Sequence, residues 1–450
     1  MASDASDTSG ASEAVGESGW IGETFTSDAG WDHLERLVDI GNRMAGQPGE
    51  REGLAATRDA LADAGCRNVR IEEFPLQGWV RGDASIATAF GDQSCIALPR
   101  SPAGEASGEL VDVGAGLPEE FAEADLAGKV ALVSTTVPDW YERFIHRREK
   151  YYHAVEAGAS AFVFRNHVEG QLPPTGSVGT EDAPIGDVPA VGVSAEVGGR
   201  LARRATGETV TVSVDCETPD ATSGNVHAEL GPETDEQVLV TCHVDAHDIA
   251  EGAMDNGAGT ATLVEIAHAL ARRGGLDTRV HFVACGAEEV GLIGSTVASD
   301  RIDHDSIRAV VNVDSNVAGR TLGISTHGFP ALEAAVERVA DRFDHPVESK
   351  PELVPHSDHW PFVRHGVPGY MISGVTEGRG RGFGHTEADT FEKLESRNLR
   401  EQAILLTALT AEVAADATVS HRSEAGIAAD LEAAGQAEGM KITGDWPYDD

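Results

Sequence analysis

The amino-acid sequence predicts an α/β protein: a three-layer, mostly parallel sheet with helices on both faces and a smaller α/β domain inserted into it. After residue 236, short apolar runs alternate with stretches in which apolar residues recur at helical spacing. Strands separated by helices imply parallel crossovers, which place helices on both faces of one sheet. Residues 85–220 are instead rich in Gly, Pro and Val, which indicates a separate unit. A length of 450 residues also favours two domains.

The N-terminal part of the chain predicts disorder followed by two helices and a strand. Residues 1–24 are small, polar and acidic, a composition that buries too little apolar surface to fold. Helical spacing of apolar residues predicts one helix over 31–40 and a second over about 51–64, which ends at Gly65. Residues 69–74 then predict a strand.

The inserted domain is predicted over residues 85–220. Within it, KVALVS (129–134) and AFVFR (161–165) predict buried strands, and a helix lies between them around 150–157. This order of elements predicts a small α/β unit with its own sheet.

The main domain is predicted to comprise residues 25–84 and 221–420, and residues 421–450 are predicted to be an acidic, peripheral tail. A helix over 258–272 follows the first apolar run of the second segment. The apolar runs that predict buried, mostly parallel strands are 238–246, 279–289, 309–315 and 369–374.

The chain is acidic along its whole length. Its 75 Asp and Glu residues exceed its 34 Lys and Arg residues, which gives a formal net charge of -41. Repulsion among these charges weakens the folded state, and molar salt, with a Debye length of about 3 Å, screens it. We therefore predict adaptation to a salt-rich cytoplasm; the alternative is an acidic mesophilic protein with a disordered tail. The same charge argues against nucleic acid and anionic membranes as partners.

Neither a secretion signal nor a membrane span is predicted. The first 20 residues contain no basic segment followed by an apolar one, and a run of 18 apolar residues occurs nowhere. The five cysteines are scattered without CxxC spacing, which favours free thiols in a reducing compartment. We expect a cytoplasmic protein, and the oligomeric state stays open, with a homodimer as one alternative.

Residues of the types that bind metal ions stand at the ends of predicted strands, where α/β sheets collect their functional groups. Singly, each has a structural explanation, since a strand-end histidine is usually hydrogen-bonded and adjacent glutamates are usually solvated. Together, the carboxylates would repel one another, and two histidines with several carboxylates suit zinc. Two ions about 3.5–4 Å apart need a shared carboxylate, for which Asp255 is the candidate. The residues are His243, Asp245, Asp255, Glu288, Glu289, Asp314 and His385.

The order of these motifs resembles that of the di-zinc exopeptidases of metallopeptidase family 28, which includes aminopeptidases and the plasma glutamate carboxypeptidase type. The resemblance covers roughly residues 30–80 and 225–415. It consists of HVD, GAMDNGAG, AEEVGLIGS, the strand-end Asp of NVDS, and GHTEADT, in that order. It implies the phosphorylase/hydrolase-like fold of these zinc peptidases and the removal of terminal residues from peptides.

The resemblance also implies a metal ligand set. His243 and Asp314 would bind one zinc ion. Glu289 and His385 would bind the other, and Asp255 would bridge the two ions. Cobalt or manganese are alternatives to zinc.

Two further acidic residues would act beside the ions in this family. Glu288 would be the general base, which takes a proton from the attacking water and passes it to the leaving amine. Asp245 would orient the imidazole of His243. The family often has a cis peptide bond after the bridging carboxylate, which predicts one at Asp255–Asn256.

The inserted region resembles the protease-associated domain that is often found within this family. DLAGKVALVS, EAGASAFVFRN and IGDVPAVGVSAE stand in the expected order. The resemblance implies a lid over the site, and a spacer without effect on substrates is the alternative.

Four further residues are predicted to line the substrate pocket. His247 and Asp248 follow the first ligand closely, His359 lies in the HSDHW segment, and Tyr370 is a candidate for stabilising the oxyanion.

Aminopeptidase activity is the main functional prediction, with a carboxypeptidase or dipeptidase as the alternative. HVDAHDIAEGAMDNG is similar to the plasma glutamate carboxypeptidase version of the motif. A metal-free, receptor-like homologue would have lost ligands, and glutaminyl-cyclase-type chemistry would use one zinc. The full ligand set argues against both, so peptides are the expected substrates.

Lowering the salt concentration is expected to unfold the protein and abolish its activity. The charge excess should become destabilising below about 1 M salt, where screening weakens. Circular dichroism and activity measured across a KCl series would test this expectation. An activity curve that stays flat down to dilute buffer would contradict the prediction of salt adaptation.

Overall fold

The structure, a computed structural model, describes residues 18–376 and 383–448. Its strands form two separate sheets with helices packed against them, which confirms the predicted α/β class. The predicted disorder of residues 1–24 falls largely outside the described residues. Residues 18–25 are helical, and Trp20 is buried in the core of the main domain.

The strands in chain order are β1 (Arg67–Gln77), β2 (Val80–Ala87), β3 (Ile96–Ala97), β4 (Gly104–Gly114), β5 (Val130–Ser134), β6 (Ala161–Arg165), β7 (Ala190–Val193), β8 (Thr209–Glu217), β9 (Asp220–Leu230), β10 (Gln237–His243), β11 (Arg279–Cys285), β12 (Ile307–Val313), β13 (Leu322–Ser325), β14 (Val347–Lys350) and β15 (Gly369–Gly374). The helices are α1 (Ala29–Ile40), α2 (Pro48–Asp63), α3 (Pro118–Glu123), α4 (Arg147–Glu156), α5 (Ala195–Arg204), α6 (Gly259–Arg273), α7 (Ile293–Arg301), α8 (Pro330–Phe343), α9 (Trp360–Val363), α10 (Ser396–Ala415), α11 (Glu424–Ala433) and α12 (Ala437–Ile442). Among the described residues, none of these helices combines the length and the apolar character that a bilayer crossing requires.

The larger sheet has eight strands in the order β1-β9-β11-β10-β12-β15-β13-β14. Its centre, β11-β10-β12-β15, is parallel as predicted. Its edges are mixed, because β9 runs antiparallel to both of its neighbours and β13 runs antiparallel to β15. The parallel centre brings the carboxyl ends of β10, β11 and β12 to one edge of the sheet.

Side chains alternate between the two faces of this sheet. Val238 and Val240 of β10 pack into a large core, together with residues of α6 and α10. Leu239 faces the other way and packs with Ala298 of α7 and Phe362 of α9. Both faces are therefore covered by helices, in the three-layer arrangement that the sequence predicts.

The smaller sheet has seven strands in the order β2-β8-β4-β5-β6-β7-β3 and is built from residues between Val80 and Glu217. Alternate residues of β5 enter separate apolar clusters on its two faces. β2 begins ahead of the predicted boundary at residue 85. Gly78 and Trp79 alone separate β2 from β1, which belongs to the larger sheet. The composition of the sequence does not indicate where the chain passes from one sheet to the other.

The residues after 420, predicted to be an acidic, peripheral tail, form two helices that pack against the main domain. Ile427, Leu431 and Met440 are buried in the core of the main domain, and the Tyr448 hydroxyl donates a hydrogen bond to the Arg364 carbonyl. The acidic, Ala- and Gly-rich composition of this segment does not indicate that its few large apolar residues pack in a core. The helical spacing of Ile427 and Leu431 is the signal that was available.

Candidate metal centre

Three strand ends bring four of the predicted site residues together. His243 is the last residue of β10, Asp314 follows β12 directly, and Glu288 and Glu289 lie just after β11. Because these strands are parallel neighbours, their ends meet at one edge of the sheet. The strands thus place one histidine and three carboxylates in a shared cleft.

Asp255 is held by a turn that leads into α6, and its peptide bond to Asn256 is cis, as predicted. The carboxylate of Asp389 accepts hydrogen bonds from the backbone N–H groups of Met254 and Asp255, at 2.7 and 3.0 Å. Sequence analysis assigned no role to Asp389, although it is the last acid of the GHTEADT motif. That motif therefore supplies His385 to the cluster and also fixes the turn that carries Asp255.

The two carboxylate oxygens of Asp255 face two different groups of side chains. Oδ1 lies 3.4 Å from Nε2 of His243, which is 3.6 Å from Oδ1 of Asp314. Oδ2 lies 3.4 Å from Nε2 of His385, which is 3.1 Å from Oε2 of Glu289. This division matches the ligand pairs that the family resemblance implies.

These separations suit metal ions. A tetrahedral zinc ion with bonds of about 2.0–2.1 Å needs donor atoms about 3.3 Å apart. Nε2 of His243 and Oε1 of Glu289 are buried and make no hydrogen bond within the described residues. Buried polar atoms are normally paired. A cation in each group would satisfy these atoms.

Asp245 organises the centre differently from the prediction. Its carboxylate accepts hydrogen bonds from the backbone N–H groups of Glu288 and Glu289, at 3.0 and 3.1 Å. Nδ1 of His243 lies 3.0 Å from the backbone oxygen of Asp245 and 3.6 Å from its carboxylate. The backbone oxygen therefore sets the tautomer, leaving the Nε2 lone pair for a metal ion.

The two adjacent glutamates lie in different electrostatic environments. Burial, the largest influence, raises the pKa of Glu288 well above its ordinary value; Glu289 and Asp314 add to the rise, and His243 opposes it. Burial also acts to raise the pKa of Glu289, but His247 and His385 outweigh it and hold that pKa well below the ordinary value. Bound dications would favour the ionised form of Glu288, which a base requires.

Arg43 supports the loops of this centre from beneath. The buried guanidinium donates hydrogen bonds to the backbone oxygens of Val244, which follows β10, and of Glu251 and Gly252, which precede Asp255. A further bond reaches the carbonyl of Leu37. Arg43 thus ties α1 to two of the loops that carry the predicted ligands.

Replacing Arg43 with Met is expected to lower the free energy of unfolding by roughly 3–5 kcal/mol, the usual cost of removing one partner from a buried charged network. The loss follows because the four carbonyls of Leu37, Val244, Glu251 and Gly252 would lose the hydrogen bonds that the guanidinium donates. Thermal and denaturant unfolding in molar KCl would measure it. Arg58→Met is the matched control, since the Arg58 side chain is 42% exposed and, among the residues that the structure describes, pairs with neighbouring Asp59. Equal stability of the two variants would contradict the prediction.

A cavity of about 660 Å³ opens beside the candidate metal centre. The main domain contributes Glu288, Glu289, Asp314 and His385 to its lining. The inserted domain contributes Arg100, Phe144, His146, Arg147, Arg148 and Ser177. The C-terminal segment contributes Asp445, Trp446 and Pro447. The cavity has the size of a small-ligand site, and all three parts of the chain shape it.

Two of the four predicted pocket residues lie elsewhere. The ring of His359 stacks on His327 at 4.6 Å and its Nε2 lies 2.9 Å from the Val354 carbonyl, behind the cavity wall. The hydroxyl of Tyr370 donates to the Leu332 carbonyl within the hydrophobic core. Both predictions were wrong because the sequence does not show which face of a strand or loop turns toward the cleft.

The other two predicted pocket residues lie beside the metal-binding groups. Nε2 of His247 is 3.0 Å from Oε2 of Glu289. Asp248 forms an ion pair with Arg81 of the smaller sheet, with Nε to Oδ2 at 2.9 Å and Nη2 to Oδ1 at 2.5 Å. Thr175 lies in the segment between β6 and β7 of the same sheet, and its backbone N–H donates a hydrogen bond to the carbonyl of His385. The inserted region therefore contacts two loops of the centre directly.

Comparison with known proteins identifies the family. The model of peptidase family M28 matches residues 225–410, a range that contains all seven residues of the predicted cluster. Residues 225–410 therefore form a peptidase family M28 domain. The PA domain model matches residues 106–201, within the smaller sheet and its helices. Both family resemblances seen in the sequence are thus confirmed.

Named relatives share most of the length of this chain. Aminopeptidase YwaD of Bacillus subtilis is 27% identical over 406 residues, which cover 85% of this chain and 84% of that protein. Leucine aminopeptidase 2 of Trichophyton equinum is 28% identical over 370 residues, covering 77% and 72%.

Solved structures share the fold. A peptidase M28 precursor from Shewanella amazonensis superposes with a TM-score of 0.73 at 22% identity, covering 90% of this chain and 97% of that chain. The zinc aminopeptidase BSAP from Bacillus subtilis superposes with a TM-score of 0.67 at 23% identity, covering 86% and 94%. The three-layer fold with an inserted domain is therefore confirmed.

Proposed function

We propose that this protein is a two-zinc aminopeptidase that removes N-terminal residues from peptides. The class of enzyme, a metallo-aminopeptidase, is confirmed by its relatives, which are named aminopeptidases. One observation carries the proposal of two ions: a single carboxylate, Asp255, turns each of its oxygens to a separate group of one histidine and one further carboxylate. One ion could not occupy both groups.

The proposed roles of the residues follow from their positions. His243 and Asp314 would hold one ion, Glu289 and His385 the other, and Asp255 both. When bound, zinc would polarise the scissile carbonyl and make a water molecule acidic.

Glu288 acts as the base in this proposal. It lines the cavity, and its Oε2 lies 3.9 Å from Nε2 of His243. It takes the proton of the attacking water and delivers it to the leaving amine, since general acid–base catalysis needs a group within reach of both. Asp245 fixes its position by accepting the Glu288 backbone N–H.

A specific observation favours the alternative activity of a carboxypeptidase or dipeptidase. Arg100 lines the cavity, is 3% exposed and forms no ion pair with a described carboxylate. Burial, with Arg148 next in effect, lowers its pKa to about 10, so the guanidinium stays charged. A buried cation without an ion-pair partner suits a substrate carboxylate. If the free C-terminus of a peptide bound there, the peptide would run through the cavity in the direction opposite to that of an aminopeptidase substrate.

The inserted domain is proposed to cover the active site. Its arginines line one wall of the cavity, and Arg81 and Thr175 hold the loops of Asp248 and His385. A spacer without effect on substrates would have no reason to make these contacts.

Hydrolysis of three versions of one tripeptide, in molar KCl with and without a chelator, tests the function. The peptides are the free form, the N-acetylated form and the C-terminal amide. An aminopeptidase releases the first residue from the free peptide and the amide, but not from the acetylated form. Release of the last residue, or loss of cleavage with the amide, would favour the alternative. If the zinc-loaded enzyme cleaves none of a varied set of peptides, the peptidase proposal is wrong.

A further inference from the structure

We propose that His247 is a fourth protein ligand in the second metal-binding group, so that the two ions of the centre differ in their number of protein donors. This inference rests on the proposed two-zinc function. His247 lies four residues after His243, in the loop that follows β10. Its Nε2 is 3.0 Å from Oε2 of Glu289, and Nε2 of His385 is 3.1 Å from the same oxygen. Ligand atoms of the three residues all lie within 4.8 Å of one another.

The imidazole of His247 faces the carboxylate of Glu289 rather than a backbone carbonyl. Its side chain is 4% exposed, and neither ring nitrogen makes a hydrogen bond within the described residues. By contrast, the buried His327 and His359 each have a ring nitrogen within 2.9 Å of a backbone carbonyl. The polar neighbour of His247 is the Glu289 carboxylate, whose Oε2 lies 3.0 Å from Nε2, and a metal ion bound there would take both groups as ligands.

The geometry of the two rings also suits a common ion. The rings of His247 and His385 lie at 88° with centroids 4.5 Å apart, so their Nε2 atoms converge on Glu289 without stacking. The separations of 3.0 and 3.1 Å are close to the roughly 3.3 Å between donors of a tetrahedral zinc ion.

The loop of His247 is fixed from the other domain. Arg81 binds both carboxylate oxygens of Asp248, the next residue, and its guanidinium is mostly buried. A bidentate pair of this kind restrains orientation as well as position. The donor is therefore preorganised, which favours a ligand over a mobile pocket side chain.

A fourth donor gives the two ions different tasks. The first group has three protein donors, His243, Asp255 and Asp314. With Asp255 shared, the second group would have four. Zinc sites with four protein ligands are closed, and sites with three keep a position for water or substrate. The open position would then lie in the first group, where Nε2 of His243 is 3.9 Å from Oε2 of Glu288.

Metal titration of the whole enzyme tests this assignment without using activity. The apoenzyme is dialysed in molar KCl against zinc buffers, and bound zinc is counted by mass spectrometry. For the parent enzyme we expect two zinc dissociation constants. In His247→Ala the smaller of them should rise by about 100-fold or more. Loss of a residue that only hydrogen-bonds a metal ligand typically raises it by about 10–100-fold. The other constant should change little. His356→Ala, a cavity histidine outside both groups, should bind zinc as the parent does.

A crystal structure of the zinc-loaded enzyme would show whether His247 binds zinc directly or only hydrogen-bonds a zinc ligand. An Nε2–zinc distance of about 2.0–2.1 Å for His247 is expected. A distance above about 3 Å, or zinc titrations that are equal for the parent and His247→Ala, would overturn the inference. A protein that binds two ions with His247 as ligand but cleaves no peptide would refute the proposed function and leave the inference standing.

Discussion

Replacing Glu288 with Gln is expected to lower kcat by about 10²–10⁴-fold, the usual contribution of general acid–base catalysis, while zinc binding persists. Gln keeps the shape and the hydrogen bond from its backbone N–H to Asp245, but it cannot accept a proton from water. Glu288 also lies outside both groups of candidate ligands, so its charge is not needed to hold an ion. Steady-state kinetics on the free tripeptide and zinc content by mass spectrometry would measure both effects.

Glu289→Gln is the matched control for this variant, because it makes the same chemical change at the next residue. Glu289 lies 3.1 Å from His385 in the second group, so its amide variant should lose zinc as well as activity. If Glu288→Gln loses zinc in the same way, or keeps most of its kcat, the assignment of Glu288 as the base is wrong.

Replacing Asp255 with Asn is expected to weaken the binding of both zinc ions. The loss of affinity should exceed the roughly 10–100-fold that is typical when a residue that only hydrogen-bonds a metal ligand is replaced. An amide is neutral and offers one oxygen, whereas the carboxylate presents one oxygen to each group. Zinc content should fall from two ions per chain to one or fewer at a zinc concentration that saturates the parent. Zinc titration followed by mass spectrometry would measure the change.

Asp389→Asn provides the comparison for the bridging variant. Asp389 touches the centre only through the backbone N–H groups of Met254 and Asp255, so its loss should cost no more than about 10–100-fold in zinc affinity. Circular dichroism of both apoproteins would show that the folds are intact. Retention of two tightly bound ions by Asp255→Asn would contradict a bridging role.

The inserted domain contacts loops of the candidate metal centre. Arg81 holds Asp248, Thr175 holds the loop of His385, and arginines of the same domain line the cavity. These contacts link the position of the inserted domain to the ligands of the second group. A shift of that domain would therefore reach the metal centre directly.

Motifs could be predicted where the chemistry is local. HVD, AEE and NVDS each end an apolar run, so their side chains had to lie at the carboxyl edge of a parallel sheet. The division of the ligands between two groups came from the family resemblance, and the distances around Asp255 agree with it. Adaptation to salt and a cytoplasmic location stay predictions.

The sequence could not predict contacts that join distant segments. Asp245 was expected to orient the His243 ring, and its backbone oxygen lies 3.0 Å from Nδ1 of that ring. Its carboxylate also accepts a hydrogen bond from the backbone N–H of Glu288, 43 residues later, which no local pattern indicates. For the same reason, the sequence could not predict the hydrogen bonds of Arg43 or the packing of the helices after residue 420.

The amino-acid sequence by itself determined the α/β class, the inserted domain, the resemblance to peptidase family M28 and the candidates for the metal-binding cluster, because each depends on periodicity or on short motifs. Only the tertiary structure decided that His359 and Tyr370 face the core and that His247 meets Glu289. The physical reason is that burial and ligand geometry depend on how separate loops and two sheets pack against one another. A histidine in a strand-end loop has the same sequence signal whether it turns toward the core or toward a metal ion.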